Sequence, residues 1–195
     1  MKRTAPLILL VLSTALCMGA QAKPAPAKAK PALLVIDIQN AFLPRMDQAD
    51  VKRGLEMINY VIALFRHNGF PVIRVYHTSP KMGPAVDSED FEFPKTTAVK
   101  PEDPRVIKNF PNAFKKTDLD ALLKEDHVDT LFLCGLSATG CVLATYLGAL
   151  DLDYNAFMVK GALISPSAAD TVRIEEVCGN IDYDALKFLL ENIAR

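Results

Sequence analysis

The stretch Val128-Asp-Thr-Leu-Phe-Leu-Cys-Gly-Leu-Ser-Ala-Thr-Gly-Cys-Val-Leu-Ala-Thr-Tyr-Leu-Gly-Ala-Leu150 changes its periodicity once. Its first part, Val128 to Gly135, is a nearly unbroken apolar run of strand length, as expected of a strand covered on both faces. Its last part, from about Gly140 to Leu150, reads as a helix on which Ala144, Thr145, Gly148 and Ala149 are small enough to let it approach a sheet closely. The joining segment, Gly135 to Gly140, consists mostly of small residues. A buried strand running through a tight turn into a helix is half of a parallel crossover unit.

The same alternation extends in both directions. Upstream, Ala32-Leu-Leu-Val-Ile-Asp37 is an apolar run that ends in an acid. Between Asp50 and His67, Val51, Leu55, Ile58, Ile62 and Phe65 recur at spacings of three and four, and Gly69 supplies a stop, so this segment is an amphipathic helix. Strands follow at Val72 to Tyr76 and Arg105 to Lys108, separated by a long irregular stretch. Thr117, with Asp120 three residues on, opens a short helix through Lys124 in the manner of a capping box. Downstream come a strand at Tyr154 to Val159 and helices at Ser167 to Val177 and Asp184 to Ile193. Such alternation predicts a three-layer α/β/α fold around an open, mostly parallel sheet of Rossmann-like type.

The N-terminus reads differently. Lys2 and Arg3 precede an apolar run from Pro6 to Leu12 that continues weakly to Ala20-Gln21-Ala22, the pattern of a secretory signal over residues 1–22. The run is short of the roughly 20 residues that cross a bilayer, so no stable membrane insertion is expected once the signal is removed. Lipidation at Cys17 is a weaker reading, because Leu16 before it is bulky. Residues 23–31 are rich in Pro, Lys and Ala and form a tether, leaving 32–195 as the folded domain. The expected location is outside the cytoplasm, periplasmic or secreted.

Twenty-two Lys and Arg against twenty-three Asp and Glu give a net charge of -1, which argues against a nucleic-acid partner. Cys134, Cys141 and Cys178 lie beyond the signal, an odd number, so at least one thiol stays outside any intramolecular disulfide. His67, His77 and His127 are scattered and no C-x-x-C occurs, so neither a metal nor another cofactor is expected.

In open α/β sheets, ligands bind beyond the carboxyl ends of the strands. Asp37 closes the first strand, Lys108 closes the third, and Cys141 opens the helix after the fourth, which predicts a carboxylate, a cation and a nucleophile on one edge. A helix N-terminus and a nearby ammonium would favour the Cys141 thiolate. Asp37 would serve as general base and acid, and the Gly135 to Gly140 amides would face a developing oxyanion.

At these residues the chain resembles the isochorismatase-like cysteine hydrolases, which include nicotinamidases, N-carbamoylsarcosine amidases and ureidoacrylate or biuret hydrolases. The resemblance rests on Leu33-Leu-Val-Ile-Asp-Ile-Gln-Asn-Ala-Phe42, on Val106-Ile-Lys108 with Ala113, Phe114, Thr117 and Leu119, and on Gly135 to Val142 with Thr145 and Ala149. It implies the isochorismatase-like hydrolase fold, catalytic Cys141, Asp37 and Lys108, a cis peptide between Leu136 and Ser137, and an oxyanion hole from the Ser137 and Cys141 amides. It also implies a homo-oligomer. The nicotinamidase Asp-x-His start of a metal site reads Val75-Tyr-His77 here, so the ligand set is broken.

The expected activity is cleavage of a C–N bond in a small amide, carbamoyl or ureido compound through a thioester. Gln39, Phe42, His77 and Phe114 are the substrate-binding candidates, and the 77–104 stretch is either surface packing or a pocket lid. Two other readings are a vinyl-ether hydrolase of the isochorismatase type and a non-enzymatic binding or redox-responsive module on the same fold.

Overall fold

A computed structural model describes residues 28–79 and 83–194. The proposed signal lies outside the described residues, as does the tether through residue 27. The six strands β1 (Pro31–Ile36), β2 (Val72–His77), β3 (Arg105–Lys108), β4 (Thr130–Leu136), β5 (Asn155–Ile164) and β6 (Asn180–Ile181) form one sheet in the order β3-β2-β1-β4-β5-β6. Every neighbouring pair is parallel. The helices are α1 (Gln48–His67), α2 (Leu119–Glu125), α3 (Leu143–Leu150), α4 (Ala168–Val177) and α5 (Tyr183–Ile193).

Every residue of β1 is buried, and its two-residue alternation divides the interior into two cores. Leu33 and Val35 pack with Ile58, Ile62 and Phe65 of α1 and Leu186 and Leu190 of α5. Ala32, Leu34 and Ile36 pack with Leu119 and Leu123 of α2, Ala149 of α3 and Ile174 of α4. The continuous apolar run is therefore what a strand inside a three-layer fold requires.

Several boundaries differ from the sequence reading. β1 starts at Pro31, where the tether was expected to end. β5 runs on to Ile164 through Gly161, at φ +77°, and its register against β4 shifts between Leu133 and Gly135. The two-residue β6 carries no periodic signal and was not anticipated. α2 has no side-chain cap from Asp118. Asp120 instead accepts from Lys124 Nζ at 2.7 Å and Tyr154 Oη at 2.9 Å, so the capping box does not form.

In the 77–104 stretch, the described residues pack partly inward. Phe91 and Phe93 are buried and their rings stack on Tyr76 at 4.9 and 4.2 Å between centroids, so this irregular segment plugs the α1 side of the core.

α3 begins later than expected. Residues Ala138–Val142 form a wide turn in which Gly140 (φ -117°, ψ -106°) is not helical, and regular helix starts at Leu143. The small residues of α3 act as anticipated. Thr145 is fully buried and its Oγ1 accepts from the Ala113 amide at 3.0 Å, while a Cβ on Gly148 would collide with the Asn112 side chain.

Candidate active site

The strand order reverses between β1 and β4, and the chemistry gathers at this switch point, where side chains diverge and leave a crevice. Asp37 follows β1 directly and Cys141 lies in the turn after β4. His77 and Lys108 end β2 and β3 as register partners, which sends their side chains to the same side of the sheet. Gly135 makes the close approach possible: at φ +114°, a Cβ there would overlap the Ile36 carbonyl oxygen.

Lys108 is 0% exposed and Asp37 2%, and Lys108 Nζ donates to Asp37 Oδ2 at 2.7 Å. Lys108 Nζ also lies 3.1 Å from His77 Nδ1. An ammonium donates only, so His77 accepts at Nδ1 and carries its proton on Nε2. Burial and the neighbouring ammonium lower the His77 pKa below 6.5, against a smaller upward pull from Asp37. Burial raises the Asp37 pKa, and Lys108, the Cys141 thiol and His77 pull it back down. Asp37 Oδ1 is buried and has no hydrogen-bond partner of ordinary geometry, although the thiol is its neighbour.

The surroundings of Cys141 oppose the thiolate expected there. The thiol is pushed up to about 12, chiefly by burial and then by the Asp37 carboxylate, with Lys108 opposing both. The helix N-terminus invoked for it begins two residues later, at Leu143. Cys141 thus sits beside a carboxylate in surroundings that favour the thiol.

Asp37, Phe42, His77, Leu136, Ser137, Gly140 and Cys141 line a cavity of about 160 Å³. Larger hollows exist elsewhere, one of about 550 Å³ near Lys30 and Phe70, yet no nucleophile lines it. At this size the cavity suits a small compound, since drug-sized ligands occupy roughly 300–1,000 Å³. The Leu136–Ser137 peptide is cis. Ser137 and Cys141, the expected oxyanion donors, both border the cavity, and the Ser137 carbonyl is tied by the Gly140 and Val142 amides at 2.9 and 3.2 Å.

Two substrate-binding candidates are placed elsewhere. Phe114 stacks on Tyr154 at 5.7 Å and does not border this cavity. Gln39 is fully buried and spends both ends of its amide on one backbone: Oε1 accepts from His77 N at 2.7 Å and Nε2 donates to His77 O at 3.0 Å. It fixes the end of β2. Phe42 and His77 do border the cavity, with ring centroids 6.1 Å apart. Leu136 and Gly140 also border it; neither carries a polar side chain that would mark it in sequence.

An Asp37 carboxylate oxygen, a His77 ring nitrogen and Cys141 Sγ lie within 4.8 Å of one another, a spacing that a metal ion can bridge. Lys108 already donates to two of these residues, so a cation there would meet a buried like charge at close range. The donor set is that of a proton-transfer cluster. Cys134 is fully buried in β4, its thiol facing the Leu34 carbonyl at 3.5 Å, and none of the three described cysteines is paired.

An open parallel sheet with a buried acid, a buried lysine and a cysteine at its switch point defines the class of protein. The chain belongs to the isochorismatase family, a family of hydrolases, and the isochorismatase domain profile matches residues 31–174. It is 30% identical over 150 residues to the isochorismatase family protein YddQ of Bacillus subtilis, covering 74% of this chain and 81% of that one. Streptothricin hydrolase of Streptomyces noursei is 29% identical over 149 residues, 72% of this chain and 54% of its own. The crystal structure of N-carbamoylsarcosine amidase from Thermoplasma acidophilum superposes with a TM-score of 0.68 at 26% identity, covering 78% of this chain and 95% of that one.

Proposed function

We propose that the protein is a cysteine amidohydrolase that cleaves a C–N bond of a small amide, carbamoyl or ureido compound. The observation that carries this reading is the buried Lys108–Asp37 pair at 2.7 Å with the Cys141 thiol beside it. As substrate enters, Asp37 takes the thiol proton and Sγ bonds to the carbonyl carbon. The carbonyl oxygen becomes an oxyanion facing the amides of Ser137 and Cys141. Collapse breaks the C–N bond, Asp37 returns the proton to the departing nitrogen, and a thioester remains. Water then attacks: it gives its proton to Asp37, a C–O bond forms, the C–S bond breaks, and Asp37 returns that proton to the departing Sγ, restoring the thiol and the carboxylate. Lys108 favours the charged carboxylate before each proton transfer and keeps Asp37 aimed. The name of one relative, an N-carbamoylsarcosine amidase, supports C–N bond chemistry, and that of another, a streptothricin hydrolase, supports hydrolysis.

A vinyl-ether hydrolase would use Asp37 as an acid toward carbon, and its raised pKa suits that role as well. Cys141 then has no part. The test is ammonia release from a panel of small amides, carbamates and ureas with the wild type and Cys141→Ser. Turnover by the wild type and its loss by about 10⁴-fold in the variant is expected. Equal turnover in both would remove the covalent mechanism. Residues 1–22 are proposed to direct export, which signal-dependent appearance of the protein outside the cytoplasm would test.

A further inference from the structure

His77 makes a contact that the covalent chemistry does not use. Its ring sits between the cavity and the interior, with Nδ1 3.1 Å from the Lys108 ammonium. Its backbone is held at both N and O by the buried amide of Gln39. The Gln39 backbone N–H in turn donates to the Asp37 carbonyl at 2.7 Å, so the turn that presents Asp37 also fixes the strand end that presents His77. A fully buried ammonium needs acceptors for its hydrogens, and Asp37 supplies one of them.

We propose that His77 is a positioning residue: its unprotonated Nδ1 accepts from Lys108 and keeps the ammonium aligned on Asp37, so that Asp37 stays aimed at Cys141. The arrangement has a built-in condition. Once His77 gains a proton, Nδ1 becomes a donor facing another donor at 3.1 Å, and either the ring or Lys108 must move. The charged or titratable groups facing the ring are Lys108 from β3, Asp37 after β1 and Cys141 before α3. A substrate-contacting histidine would have no need of a fixed Nδ1 acceptor. Its replacement would change affinity rather than turnover.

The kinetic arm of the test rests on the amidohydrolase reading, whereas the spectroscopic arm does not. Nitrogen-15 NMR of the imidazole, with the signal assigned by its absence in His77→Asn, is expected to show the Nε2–H tautomer, titrating below 6.5. With any amide that the wild type turns over, His77→Asn, whose side-chain oxygen replaces Nδ1 as acceptor, should keep kcat within a few-fold. His77→Leu, without an acceptor, should lose about ten- to a hundredfold in kcat while KM changes little. An Nδ1–H tautomer, equal loss in both variants, or an effect on KM alone would overturn the positioning role. If no amide is turned over, the amidohydrolase reading fails, and the tautomer still decides whether His77 accepts from Lys108.

Discussion

Lys108 and Asp37 are 71 residues apart in the chain and 2.7 Å apart in the interior, both effectively without solvent contact. A buried ion pair adds little to stability when intact, because desolvation offsets the attraction, but removing one partner strands the other. The pair is therefore costly to break.

Replacing Lys108 with Met should destabilise the protein by about 3–5 kcal/mol, because a buried carboxylate loses its counter-charge. Lys108 also pulls the Cys141 pKa down, so its loss should move the rise of iodoacetamide alkylation to still higher pH. Denaturant unfolding and the pH dependence of alkylation measure the two effects. An unchanged midpoint together with an unchanged alkylation profile would mean that the ammonium is not where the structure places it.

Asp37→Asn separates electrostatics from proton transfer. The carboxylate raises the Cys141 pKa, so neutralising it should shift the alkylation profile to lower pH and give more thiolate at neutral pH. Turnover should nevertheless fall, because the group that takes and returns the proton is gone. A variant with more thiolate and retained turnover would show that Asp37 is not the base.

Stability should respond to pH through His77. Its pKa is lowered in the folded state, so the folded protein binds fewer protons than the unfolded chain below 6.5. The contribution is complete above 6.5 and is lost as the pH falls through the lower folded value. The wild type should therefore lose more stability than His77→Asn between neutral and mildly acidic pH, as read by paired thermal melts. Parallel melts across that range would place the ring in solvent.

Gly135→Ala should cost about 3 kcal/mol, since the residue sits at φ +114° and the new methyl would press on the Ile36 carbonyl next to Asp37. Chelators should leave activity unchanged, because a cation between Asp37 and His77 would meet the buried Lys108 ammonium at close range. Loss of activity in EDTA that is recovered on adding a divalent metal would assign Asp37, His77 and Cys141 to an ion.

The sequence alone determined the layered fold. Apolar runs such as Ala32 to Ile36 and Val128 to Gly135 can be satisfied only by strands buried on both faces, and the three-and-four spacing along Val51 to Phe65 only by a helix lying on such a sheet. The order of acid, lysine and cysteine along the chain was legible for the same reason, because each residue ends or follows a recognisable element. Tertiary structure alone decided what surrounds the Cys141 thiol, whose pKa is pushed up by burial and by a carboxylate 104 positions earlier. It also assigned Gln39 to the His77 backbone, sent Phe114 to Tyr154, and placed Phe91 and Phe93 in the core. Periodicity reports which face of an element is buried. Charge state and side-chain partnership depend on distances between elements, and those distances exist only once the strands have paired.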